Sequence, residues 1–191
     1  MLGVVLVFLL ARDFEVGTRL YVAAADAELF SIGGHVSEFA LLSLVGIWGL
    51  LAVVLLYRRS WSRVVRLVAG GFGSAVAYGA SELLKLLFAR DRPCHVMDVL
   101  AACPPAEDWS YPSNHTVIAL SLAVAITAAV PKVGFLAVPV ACLAGLSRVF
   151  AGHHYPQDVL AGAVLGVSVA LACILLLTPV LHRVLARLTN S

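Results

Sequence analysis

Charge is what this sequence has least of. Lys and Arg together number 13 and Asp and Glu 11 in 191 residues, and 13% charged is about half the share of an ordinary soluble domain. A water-covered surface cannot be built from so few ionised groups, and a mean hydropathy of +0.98 identifies an integral membrane protein. The net charge of +2 is small and no basic run interleaved with aromatics occurs, which excludes a nucleic-acid partner and leaves the bilayer as the natural one. No basic region precedes the apolar residues 1–10, a poor fit to a signal peptide. Cysteine is scarce too. Of the four, Cys142 and Cys173 sit in apolar runs and read as packing residues, whereas Cys94 and Cys103 share a polar loop and are the pair that can report on redox compartment.

A membrane span needs about 20 apolar residues at about 1.5 Å each. The length therefore predicts one all-α domain, a polytopic helical bundle of five to six transmembrane helices. Residues 1–36 form an N-terminal segment, either an interfacial helix or a weakly hydrophobic first span, and residues 37–191 form the membrane domain. No charge at all falls in residues 39–57, the clearest span. Further spans are expected at about 64–88, rich in Gly, Ala and Ser, then at 114–130, 133–146 and 156–177, the last with a Gly162-x-x-x-Gly166 packing face. Arg58, Arg59, Arg63, Arg66, Lys132, Arg183 and Arg187 all fall on one side of this topology, with no carboxylate beside them. The positive-inside rule makes that side cytoplasmic. The opposite side carries Lys85, Arg90, Arg92 and Arg148 against the rule, and such an exception points to a bound anion.

Three stretches meet on that outer side: Lys85 to Pro93, Tyr111 to His115, and Ser147 to Asp158. Ionisable groups where hydrocarbon meets water are expensive and normally functional. Lys85, Arg92 and Arg148 suit a phosphoryl group, the arginines through forked hydrogen bonds and the lysine as a point charge. Ser113 and the N–H groups that open the third span add donors. Two histidines then remain for in-line displacement, one attacking phosphorus and one protonating the departing oxygen. His154 lies four residues before Asp158 and His153 five, and the four-residue spacing places an imidazole N–H within reach of the carboxylate. Glu82 reads as a structural ion-pair partner of Lys85, and His35 and His95 as loop residues. A cation would be repelled by the surrounding Lys and Arg, so no metal site is expected.

At these residues the chain resembles the type 2 phosphatidic acid phosphatase superfamily, the lipid phosphate phosphatases. Its three signature motifs appear in order: Lys85, six residues, then Arg92-Pro93; Pro112-Ser113-Asn114-His115; and Ser147-Arg148, five residues, His154, three residues, Asp158. The resemblance covers residues 70–177 and departs at Asn114, where the family most often has Gly. Carried over, it implies His154 as nucleophile, Asp158 as its orienting carboxylate and His115 as general acid. Lys85, Arg92, Ser113, Asn114 and Arg148 become the substrate-binding set, with no metal and no cofactor. The small size and short loops resemble the undecaprenyl diphosphate phosphatases. That resemblance implies a multi-pass plasma-membrane enzyme with an extracytoplasmic site, converting undecaprenyl diphosphate to undecaprenyl phosphate through a phosphohistidine. Phosphatidylglycerophosphate, phosphatidate or another prenyl phosphate is the alternative substrate, and a non-catalytic lipid-binding or transport protein is the alternative class. Cys94 and Cys103 would close a short extracytoplasmic loop if bonded, the alternative being two free thiols facing the bundle.

Overall fold

The computed structural model describes residues 27–96 and 103–189; the expectation for the first residues of the N-terminal segment falls outside them. The chain forms α1 (Ala27–Tyr57), α2 (Trp61–Phe88), a single turn α3 (Pro93–Val96), α4 (Asn114–Ala129), α5 (Pro131–Phe150) and α6 (Pro156–Thr189), with no strand among the described residues. Four of the helices are long and apolar enough to cross a membrane, and the protein is a multi-pass membrane protein. Proline opens both α5 and α6, where its missing N–H and fixed φ cost nothing.

The packing inverts the soluble pattern. Large side chains such as Phe39, Leu42, Leu87, Phe135 and Leu175 point outward, where lipid tails solvate them. Alanines occupy the centre, Ala119, Ala125, Ala137, Ala141 and Ala144 being fully buried. Small residues let backbones approach in the absence of any hydrophobic drive between helices. Cys142 is exposed, so it meets lipid rather than the core packing expected of it.

The 16 residues of α4 span only about 24 Å, less than the roughly 30 Å hydrocarbon core. Its neighbours make this possible, because α4 packs against α1, α2, α5 and α6 and is surrounded by protein. A Cβ placed on Gly166 would sit 2.5 Å from the Val117 carbonyl oxygen, and one on Gly162 2.7 Å from that of Ser113. The Gly162-x-x-x-Gly166 face thus seats the first turns of α4 directly on α6. Gly166→Ala is expected to force these backbones apart and to cost about 1–3 kcal/mol, the range for overpacking, readable as a lowered thermal midpoint in detergent; an unchanged midpoint would show that the two helices can slide.

The helix junctions bring the polar stretches to one end of the bundle. Ser113 N–H donates to the Asp158 carbonyl at 3.0 Å, Cys94 N–H to that of Gly152 at 3.1 Å, and Ser110 N–H to that of Arg90 at 2.8 Å. A disulfide joins Cys94 to Cys103, which resolves the two cysteine alternatives in favour of the bonded one. Gly152, at φ 67°, turns the chain out of α5 in a conformation that disfavours a Cβ, and delivers His153 and His154 to the start of α6.

Candidate active site

At that end Lys85, Arg92 and Arg148 are 4%, 2% and 5% exposed, and His154 and Asp158 are buried completely. Cations so withdrawn need partners. Arg92 is held at every nitrogen. Its Nε donates to the Asp108 carbonyl at 2.6 Å and its NH1 to the His153 carbonyl and to His154 Nε2, both at 3.0 Å, while NH2 pairs with Asp108 Oδ2 at 2.9 Å. Lys85 Nζ lies 2.5 Å from Asp108 Oδ1 and 3.8 Å from Glu82 Oε1. The predicted Glu82–Lys85 ion pair is therefore present, with Asp108 the nearer carboxylate. Arg148 differs: NH1 stands 3.7 Å from Glu38, and its buried Nε meets no acceptor among the described residues. A buried guanidinium donor without an acceptor is rare, and here it marks a place for an anion.

The donors and acceptors around His154 define its tautomer. Arg92 donates to Nε2, so Nδ1 carries the proton and donates to the Ser110 carbonyl at 2.8 Å. Asp158 Oδ2 lies 3.7 Å from Nδ1, beyond a hydrogen bond, which corrects the expected direct imidazole–carboxylate contact. The four-residue rule holds within a helix, and His154 precedes α6. Asp158 instead receives the Tyr155 N–H at 2.8 Å, Arg90 NH1 at 3.0 Å and the Ser110 hydroxyl. Its oxygens organise the turn that presents the ring, and Ser110 bridges the two residues. Burial pushes the His154 pKa down to about 3, against the opposing pull of Asp158, and keeps the imidazole neutral at physiological pH. Its Nε2 lone pair faces the Arg92 guanidinium.

His115 Nε2 lies 2.9 Å from Glu38 Oε1. Glu38, on α1, had no sequence signal beyond being a lone acid at the edge of an apolar run. Ser113 precedes α4 without a side-chain capping bond to the helix backbone and receives the Thr116 hydroxyl at 3.1 Å, leaving its own O–H for another acceptor. The Asn114 side chain is engaged elsewhere, its Oδ1 accepting from Ser81 at 2.6 Å and its Nδ2 donating to Glu82 at 2.5 Å. What Asn114 can offer an anion is its backbone N–H, one of those that open a helix without an intrahelical acceptor. His95 and His35, which lie in α3 and α1 rather than in the loops expected of them, are exposed and bond the carbonyls of Pro104 and Ser31, apart from this cluster. Cradle, neutral imidazole and second imidazole together form a site that can bind a phosphoryl group and transfer it.

Comparison with known proteins agrees with this chemistry. The model of the PAP2 superfamily matches residues 66–180. Undecaprenyl-diphosphatase BcrC of Bacillus subtilis is 33% identical over 148 residues, covering 75% of this chain and 72% of that protein. Decaprenylphosphoryl-5-phosphoribose phosphatase of Mycobacterium tuberculosis is 34% identical over 144 residues, covering 74% and 72%. Among solved structures, the transmembrane PAP2 type phosphatidylglycerolphosphate phosphatase of Bacillus subtilis superposes with a TM-score of 0.59 at 22% identity, over 86% of this chain and 84% of that one. With all three motifs gathered at one end of a membrane bundle, and a superfamily match over most of the chain, the protein belongs to the PAP2 superfamily and is a membrane lipid phosphatase.

Proposed function

We propose that this phosphatase hydrolyses undecaprenyl diphosphate to undecaprenyl phosphate at the extracytoplasmic face of the plasma membrane, with His154 as nucleophile. The observation that carries the proposal is the buried Arg148 Nε without an acceptor, beside a neutral His154 and a second imidazole, His115. The terminal phosphoryl group enters between Arg148, Lys85 and Arg92, and takes over the NH1 hydrogen of Arg92 that now faces His154 Nε2. Nε2 attacks phosphorus as the bond to the bridging oxygen breaks, and His115 protonates that oxygen as undecaprenyl phosphate departs. The phosphohistidine is then hydrolysed by water, which gives its proton to His115 and releases inorganic phosphate. Nδ1–H remains on the Ser110 carbonyl throughout, stabilising the charge that the ring acquires, with Asp158 close enough to add its field. The similarity to undecaprenyl-diphosphatase BcrC over 75% of the chain supports the lipid, and the basic residues at the other end of the bundle support the sidedness.

A second substrate has a specific observation behind it, the comparable identity to decaprenylphosphoryl-5-phosphoribose phosphatase. Both lipids are polyprenyl compounds with a terminal phosphoryl group, and the cradle contacts phosphate rather than tail. Purified protein in detergent is expected to release inorganic phosphate from undecaprenyl diphosphate at least about tenfold faster than from phosphatidylglycerophosphate or phosphatidate, a difference of about 1.4 kcal/mol in transition-state binding. Equal or faster release from a glycerophospholipid would overturn the substrate assignment while leaving the phosphatase intact.

A further inference from the structure

Two of the three cations in the cradle are already occupied. Asp108, outside all three motifs, places Oδ1 on Lys85 and Oδ2 on Arg92, so one carboxylate spans the two residues that a phosphoryl group would use. Its own side chain is 45% exposed, whereas those of Lys85 and Arg92 are 6% and 3% exposed. The carboxylate therefore reaches inward from the surface to cations that cannot reach out. Lys85 and Arg92 hold the Asp108 carboxyl below the usual carboxylate range even though burial opposes this, and it is ionised at neutral pH.

The backbone holds this carboxylate in place. Asp108 N–H donates to the Pro105 carbonyl at 3.0 Å, and Ser110, two residues on, donates to Arg90 at 2.8 Å. The segment starts at Cys103, bonded to Cys94, and ends at Ser113, bonded to Asp158. A carboxylate tethered in this way competes as an intramolecular ligand, with an effective concentration of roughly millimolar or above. It borders a cavity of about 420 Å³ lined also by Glu82, Lys85, Glu107, Trp109 and Asn114.

We infer that Asp108 is a specificity-determining residue, an internal anion that any ligand must displace from Lys85 and Arg92. A phosphodiester carries one charge and two unsubstituted oxygens, no more than the carboxylate already offers. A terminal phosphoryl group carries about −1.5 to −2 at pH 7 and three acceptor oxygens, and gains from the exchange. The chemistry thus rejects the singly charged phosphodiester headgroups of bulk bilayer lipids and admits phosphomonoesters and diphosphates. The inference rests on the phosphatase reading for its ligand class, but its test requires no turnover.

The test is the binding of inorganic phosphate and of glycerophosphoglycerol, a water-soluble phosphodiester, followed by thermal shift on purified wild type, Asp108→Asn, Asp108→Ser and Asp108→Glu. In the Asn and Ser variants the preference for phosphate over the diester is expected to shrink by about tenfold, chiefly through tighter binding of the diester, while Asp108→Glu keeps the wild-type preference. Two neutral variants are used so that loss of folding in one leaves the other informative. An unchanged preference, or weaker binding of both ligands, would overturn the inference and make Asp108 a residue that merely positions the cations. A wild type that binds phosphate selectively yet hydrolyses no lipid would contradict the proposed function and leave these ratios valid.

Discussion

His154→Ala is expected to lower turnover on the order of 10⁴-fold or more, the scale seen when a covalent nucleophile is removed. His153→Ala should retain a measurable fraction. The two adjacent imidazoles are distinguished by their surroundings. The His154 ring is buried between the Ser110 carbonyl and the Arg92 guanidinium, which fix its tautomer and aim Nε2 at the cradle. His153 holds Arg92 through its backbone carbonyl, which an alanine retains. Because burial keeps His154 neutral down to about pH 3, the acid limb of the rate profile should not reflect its protonation; acidification below neutrality leaves the nucleophile available. The comparison is made on kcat at saturating lipid, with intact thermal transitions as the control for folding. Equal losses in the two variants, or a larger loss in His153→Ala, would move the nucleophile to His153.

Arg148→Lys should cost about 10²–10³-fold in kcat/KM despite conserving charge, comparable to removing one donor from an oxyanion site. The reason lies in the Nε hydrogen, which is buried and has no acceptor among the described residues. A lysine ammonium is a point charge whose donors share one nitrogen, and it cannot reproduce the planar spread of N–H groups that Nε and NH1 present. Arg148 is also the cation least occupied by Asp108, so it offers the first open donor to an arriving phosphoryl group. Unchanged kcat/KM on every lipid hydrolysed by the wild type would show that Arg148 is structural.

Much of the architecture was legible because lipid imposes simple rules. The absence of charge in residues 39–57 located the core of α1, and Pro156 located the start of α6, whereas α5 begins at Pro131, two residues before the span expected from 133. Hydropathy misjudged the ends. The α1 helix begins at Ala27, although Glu28, His35 and Glu38 interrupt its apolar run, and α6 continues past Leu177 and through Pro179 to Thr189. Polar residues and a late proline lower hydropathy without breaking a helix when they lie near the membrane surface.

In the site, the motif residues declared themselves as ionisable groups beside hydrocarbon. The groups that satisfy them did not. The Ser110 carbonyl has no sequence signature, since every residue carries one. Asp108 and Glu38 looked like loop and boundary acids, and their approach to Lys85, Arg92, His115 and Arg148 depends on how α1 and the loop after Cys103 fold over the bundle end. Asn114 was legible as a substrate-binding position and a departure from Gly, but not as a fastener between helices. Its bonds to Ser81 and Glu82 show a side chain fastening α4 to α2 where the family more often has none.

The most direct measurement is a rapid-quench reaction with undecaprenyl diphosphate labelled in its terminal phosphate, followed by peptide mapping under alkaline conditions, which preserve phosphohistidine. Label is predicted to appear on the peptide containing His154 before free phosphate accumulates, to disappear on chase with unlabelled lipid, and to be absent from His154→Ala. Steady turnover with no labelled peptide at any quench time, or label on His115 or His153, would contradict the account.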